Sequence, residues 1–225
     1  MLMRSLETNV LHRRRRESGF SLLEMAAVLA ISIIVSVVSV VGLMPLLNQQ
    51  HVTNAYNTTI SAMRQARDNA VSQRASYSVT FSNSVSPNTI TVALASAVFQ
   101  GDQNAVTYQL PPGVQFYAAP ALASTTPPDS SSTASFGTGA NAIDFGYTGT
   151  GGAGGGKTIY FCPDGSAQTA STCAGSGNWD DGVVYISNPT NILSSRAVDL
   201  WGATGRIHGW RLISTGGSSY QWVRQ

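Results

Sequence analysis

From Met25 to Leu47 the chain runs for 23 residues without an ionisable side chain, and no other stretch limits the fold as strongly. A membrane-spanning helix needs roughly 20 mostly apolar residues, because in lipid each backbone N–H and C=O must be satisfied within the segment. The wider run Phe20 to Leu47, FSLLEMAAVLAISIIVSVVSVVGLMPLL, carries only Glu24. Just before it stand Arg13, Arg14, Arg15 and Arg16, with Arg4 upstream and only Glu7 and Glu17 to oppose them. Basic flanks stay on the cytoplasmic side, so this polarity predicts a cytoplasmic N-terminus and an exported remainder. A cleaved secretory signal fits less well, since its apolar core is ~7–15 residues long and closed by small residues. Here Pro45, Leu46 and Leu47 lead instead into Asn48, Gln49 and Gln50. A plain signal anchor is the simplest alternative.

Charge is scarce along the whole chain. Only 11% of the 225 residues are Asp, Glu, Lys or Arg, against about one quarter in ordinary soluble domains. A formal net charge of +2 with 43% apolar residues argues against charge-driven disorder and against a polybasic nucleic-acid coat. Twenty-two Gly with abundant Ser and Thr predict strands and long loops rather than a helical bundle.

The junction Arg16-Glu17-Ser18-Gly19-Phe20-Ser21-Leu22-Leu23-Glu24-Met25 resembles the processing site of type IV pilins and of the pseudopilins of type II secretion. Such proteins have a short basic leader, a Gly before the cut, an aromatic first mature residue and a Glu as fifth. The resemblance implies that a prepilin peptidase cuts between Gly19 and Phe20 on the cytoplasmic side and that the new Phe20 amine is methylated. It also implies a role for Glu24 in helix assembly, facing the Phe20 amine of a neighbouring subunit. A carboxylate inside an apolar helix costs about 2.5–3.5 kcal/mol at the bilayer centre, so such a partner has a physical reason. Glu24 at headgroup depth, snorkelling to water, is the alternative. Gly19, lacking a Cβ, leaves the scissile bond open to the peptidase. Removing the leader takes five of thirteen basic and two of eleven acidic side chains with it, leaving eight against nine.

Beyond the apolar run the helix is expected to continue. Val52, Tyr56, Ile60, Met63, Ala66 and Ala70 recur at helical spacing, with Arg64 and Asp68 as an i,i+4 pair. A helix from Phe20 to about Arg74 would be ~80 Å long, with Gly42 and Pro45 its weak point. The passage Ser61 to Thr80, SAMRQARDNAVSQRASYSVT, resembles the helix-to-first-strand passage of H-type minor pseudopilins and T-type minor pilins.

From Tyr77 the period becomes two: Tyr77, Val79 and Phe81 alternate with polar residues, then Ile90, Val92 and Leu94. Further strands are expected at 106–110, 114–117, 143–147, 158–162, 183–187, 197–201 and 206–213. Nine short strands suggest two packed antiparallel sheets against the C-terminal half of the helix. The Gly- and Ser-rich tracts 118–142 and 148–157 read as loops. Gly151 to Thr158, GGAGGGKT, matches the phosphate-loop pattern G-x-x-x-x-G-K-[ST]. That mechanism requires a helix after the Lys, and the strand-like Thr158-Ile159-Tyr160-Phe161 argues against nucleotide binding.

In an oxidising compartment Cys162 and Cys173 are expected to form a disulfide around a turn-rich loop, in preference to a metal site, which would need further His or Cys ligands close by. Near the end, Gly205-Arg206-Ile207-His208 resembles the Gly-Arg-x-Arg tail of some DNA-uptake pilins, with His208 in place of the second Arg and Arg211 following. The resemblance makes Arg206, His208 and Arg211 candidate DNA contacts. With Arg224, Trp210 and Trp222 they offer a small cationic, stacking surface, or else an ordinary solvated strand. Only His208 among three histidines lies well inside the exported part, and Asp180-Asp181 suits a turn. No nucleophile, base and orienter assemble in the sequence, so no catalytic residue, metal or cofactor is expected.

The expected fold is α+β. A long N-terminal α-helix, transmembrane and then amphipathic, packs on an antiparallel β-sheet or sandwich-like domain in the type IV pilin-like layout. The expected organisation is a leader at 1–19, a transmembrane helix at 20–47, its amphipathic continuation at 48–75 and a periplasmic β-rich domain at 76–225. The resemblance implies a non-enzymatic minor pseudopilin, a single-pass inner-membrane subunit of a periplasmic filament in protein secretion. Its partners would be other pseudopilins or pilins, prepilin peptidase, the inner membrane and secreted cargo. The alternative is a T-type minor pilin acting in pilus assembly or DNA uptake, with DNA as partner.

Overall fold

One helix, α1 (Leu22–Gln73), carries the apolar run and its amphipathic continuation. Ser21 and Glu24 stand in the S-x-x-E spacing of a capping box, and the Ser21 carbonyl accepts the first helical bond from the Met25 N–H at 3.1 Å. Within the apolar half, the hydroxyls of Ser32, Ser36 and Ser39 donate to the carbonyls of Val28, Ser32 and Val35 at 2.7–2.8 Å. These polar groups therefore need no water or partner helix. Leu22–Ser39 has a mean hydropathy of 2.4 with none of it buried, which is long and apolar enough to cross a membrane. The computed structural model describes residues 21–95, 105–118, 141–147, 156–173, 179–217 and 219–225. Gly19 and Phe20, and most of the loops 118–142 and 148–157, lie outside the described residues.

The helix ends in a Schellman motif. Arg74 takes a left-handed conformation (φ 51°) and the Ala75 N–H reaches back to the Ala70 carbonyl at 3.2 Å. The chain divides into two compact units, Met1–Met44 and Pro45–Gln225, α1 belonging to both.

The strands of the second unit are β1 (Tyr77–Ser82), β2 (Thr89–Leu94), β3 (Val106–Gln109), β4 (Gln115–Phe116), β5 (Ile143–Tyr147), β6 (Thr158–Phe161), β7 (Ala167–Gln168), β8 (Asp181–Asn188), β9 (Asn191–Trp201), β10 (Arg206–Gly216) and β11 (Ser219–Arg224). They form two antiparallel sheets. The first has the order β3-β2-β1-β6-β7; the second is β11-β10-β9-β8-β4, with β5 also pairing along β8. Two strands escaped the sequence reading. β7 is only two residues long and exists through its partner β6, and β11 returns along β10 after a turn in which Gly216 and Gly217 take positive φ.

The main core joins the inner faces of both sheets to α1. Val79, Phe81, Ile90, Val92, Ile159 and Phe161 come from the first sheet, and Val184, Ile186, Val198 and Leu200 from the second. Phe81 links them, with ring centroids 5.5 Å from both Phe116 and Phe145. The buried face of α1 is Val52, Ala55, Tyr56, Thr59, Ala62, Met63, Ala66 and Ala70. Ile60, expected on that face, is only partly buried, and the alanines permit a close approach. Gly209 serves the same fit, since a Cβ there would run into the Tyr56 hydroxyl. On the far side of the second sheet Val183, Tyr185, Ala197, Trp210, Leu212 and Trp222 make a smaller cluster.

Candidate functional site

The expected bridge is present. Cys162 and Cys173 are bonded with Cα atoms 5.7 Å apart, and the Ser76 hydroxyl, just past α1, donates to Cys173 Sγ at 3.1 Å. The loop they close ties the two sheets together. The Ala167 N–H donates to the Gly202 carbonyl at 2.7 Å, and the Asp180 N–H donates to the Ala167 carbonyl at 3.0 Å. Asp180 accepts both the N–H and the hydroxyl of Thr169 at 2.6 Å, while Asp181 accepts the Gly202 N–H at 2.7 Å. The neighbouring aspartates thus serve different loops. Burial raises the Asp181 pKa above the ordinary carboxylate value, with the Gly202 N–H opposing the shift and Asp180 adding to it.

Arg67 crosses from α1 into this junction. Its Nε donates to the Gly165 carbonyl at 3.3 Å and its Nη2 to the Thr204 carbonyl at 3.1 Å. Gly205 takes φ +58°, and a Cβ there would strike the Gly165 carbonyl and come within 2.8 Å of Arg67 Nε. The Gly of the Gly205-Arg206 sequence is therefore needed for packing against Arg67. Beside it opens a groove of about 300 Å³ lined by Arg64, Arg67, Asp68, Gly205, Arg206, Ile207 and His208. Arg64 and Asp68 do not form the expected ion pair; a base N-terminal to its acid is the weaker order at i,i+4.

The candidate DNA contacts are distributed unequally. Arg206 and His208 are two residues apart on β10 and share a face, and Arg211 stands on the other. Nδ1 of His208 lies 3.5 Å from Asp199 Oδ1, an oxygen that also accepts the His208 N–H at 3.1 Å. Trp210 and Trp222 are buried at 8% and 6% exposure, so of the two readings of this segment the stacking surface is not formed.

Sequence reasoning missed Arg196. It is 8% exposed on β9, in register with Arg211, and its Nη1 donates to the carbonyls of Ser194 and Ser195 at 3.0 and 3.2 Å. Burial lowers its pKa, with Arg211 adding to the effect, and Tyr56 lies close enough to oppose it. The Tyr56 hydroxyl is raised by burial and moderated by Arg196 and Arg64. The signal in the sequence was Arg196 at an inward position of Ser194, Arg196, Val198 and Leu200.

Charge is segregated by depth. Among described residues of the second unit, Asp144, Asp180 and Asp199 are buried and Asp181 is half-buried, leaving Asp68 and Asp164 exposed. Arg64, Arg74, Lys157, Arg206, Arg211 and Arg224 are all exposed. The phosphate-loop match resolves as expected at its described end: Lys157 donates to Asn83 Oδ1 at 2.8 Å, and β6 follows it rather than a helix. Comparison with family models, curated proteins and solved structures finds no match to this chain.

Proposed function

We propose that this chain is a minor pseudopilin of H type, a non-enzymatic filament subunit anchored in the inner membrane with its sheet domain in the periplasm. One observation carries the reading: a single helix, α1, has an exposed apolar half that begins at Leu22 and carries Glu24 in its first turn, and a second half built into a disulfide-bonded antiparallel domain. The first half can stack with like helices, and the second fixes the domain to that stack. Prepilin peptidase releases the leader after Gly19, and Phe20 becomes the methylated N-terminus. Mass spectrometry of the protein from cell membranes tests this. The expected N-terminal peptide starts at Phe20 and is one methyl group heavier than unmodified; an intact leader, or cleavage beyond Leu47, overturns the proposal. A T-type minor pilin acting in pilus assembly or DNA uptake shares this architecture and differs in its partner. The exposed Arg206 in an arginine-lined groove favours that second reading, and duplex DNA binding lost in Arg206→Ala would select it.

A further inference from the structure

Two arginines stand side by side on the face of the second sheet that looks onto α1. Register sets Arg196 of β9 directly opposite Arg211 of β10, between Ile186 on β8 and Val223 on β11. Like charges directly opposite one another destabilise a sheet. Arg196 is nearly buried, and its hydrogen bonds run only from Nη1 to the Ser194 and Ser195 carbonyls. Among the described residues no carboxylate pairs with either arginine. Removing a guanidinium from water without a counter-charge is costly.

Contacts to α1 fix where this pair lies. Gly205, just before β10, lies against Arg67, and Gly209 lies against the Tyr56 hydroxyl, so β10 runs back along the helix toward its start. Two residues further on the same face, about 7 Å, Arg211 comes beside the turn of α1 that holds Val52. A second contact agrees. His51 Nδ1 lies 3.1 Å from the carbonyl oxygen of Pro112, on the loop that leads into β4, and β4 sets Phe116 in one row with Ile186 and Arg196. The described carboxylates of the second unit, Asp68, Asp144, Asp164, Asp180, Asp181 and Asp199, all lie on the Arg67 side of the Val198–Gly209 pair. The unit therefore has one end that holds cations and no described carboxylate, and α1 enters the unit there, at Pro45. Leu47, Leu193 and Ile213 are exposed at the same end.

We propose that this end of the sheet domain docks on the headgroups of an anionic phospholipid bilayer, with phosphoryl oxygens bridging Arg196 and Arg211. The inference rests on the reading that the apolar half of α1 crosses a bilayer. From Leu47 to Val52 the helix advances about 8 Å, and a headgroup layer is roughly 5–8 Å thick on each side, so the pair stands within reach of it. A phosphoryl group supplies several acceptor oxygens and the negative charge that two opposed guanidinium forks lack. Exposed Leu193 and Ile213 suit the mixed polar and apolar surroundings of that layer.

The test uses the full chain in lipid nanodiscs, one preparation rich in phosphatidylglycerol and one of phosphatidylcholine alone. Each contains either a phospholipid with a photoreactive headgroup or one with a photoreactive acyl chain, and crosslinks are mapped by mass spectrometry. Headgroup crosslinks should appear at 191–196 and 211–216 in the anionic discs and fall in the zwitterionic ones. Arg211→Ala, at an exposed position, should lower them about fivefold. Arg74→Ala with Arg206→Ala, exposed cations toward the opposite end and beyond a Debye length, should change them less than about twofold. Equal yields in the two lipids, indifference to Arg211→Ala, or acyl-chain crosslinks at 22–39 without headgroup crosslinks in the two segments would overturn the docking alone. Absence of acyl-chain crosslinks at 22–39 would overturn the membrane reading and the docking with it.

Discussion

Asp181 shows how a residue can serve the fold at a cost. Its carboxylate fixes the Gly202 N–H, and burial raises its pKa. A carboxyl raised on folding binds its proton more tightly in the native state. Stability therefore falls as pH climbs from the ordinary carboxylate range through the raised value. Asp181→Asn keeps an acceptor for Gly202 and removes the charge facing Asp180. Its thermal midpoint should exceed that of the wild type at neutral pH and converge with it in acid; a lower midpoint at neutral pH would show that the charge itself is needed. None of this was legible beforehand, because Asp180-Asp181 reads as a turn pair. The partners Thr169 and Gly202 come from separate loops, and only folding brings them to the two carboxylates. Arg196 was more nearly visible, since an arginine among inward-facing apolar positions is anomalous, but the expected strand began at Ala197.

Elements were read more reliably than contacts. The helix and most strands follow from periodicity, 3.6 and then two, because one buried face is enough to impose the pattern. β7 and β11 lay beyond that signal, the first too short to show a period and the second beyond two glycines. The end of α1 holds a further consequence. A left-handed conformation costs a non-glycine residue about 1 kcal/mol or more, and Arg74 adopts it at the cap without a hydrogen bond of its own in the described contacts. Arg74→Gly should therefore stabilise the domain by about 0.5–1 kcal/mol, after allowing for the extra freedom of glycine in the unfolded chain. A denaturation midpoint unchanged or lowered would show that Arg74 holds the cap by packing. The neighbouring bridge at Cys173 reinforces the same junction through Ser76.

At the scale of the molecule, the sequence conveyed the architecture of apolar helix and sheet domain but left the electrostatics hidden. Formal charge is a sum, and a sum is blind to depth. Once the leader is set aside, eight basic side chains face nine acidic ones, which describes a chain with little preference for either sign. The fold breaks that balance by burying Asp144, Asp180 and Asp199 while leaving six of the eight cations exposed. Retention on an ion exchanger depends on the patches a surface presents rather than on the total. The native leaderless protein should therefore be held by a cation-exchange resin at neutral pH and low salt, although its formal charge is slightly negative. In denaturant that retention should vanish, as the buried carboxylates come into view, so a salt-elution profile becomes a readout of whether the sheet domain is folded.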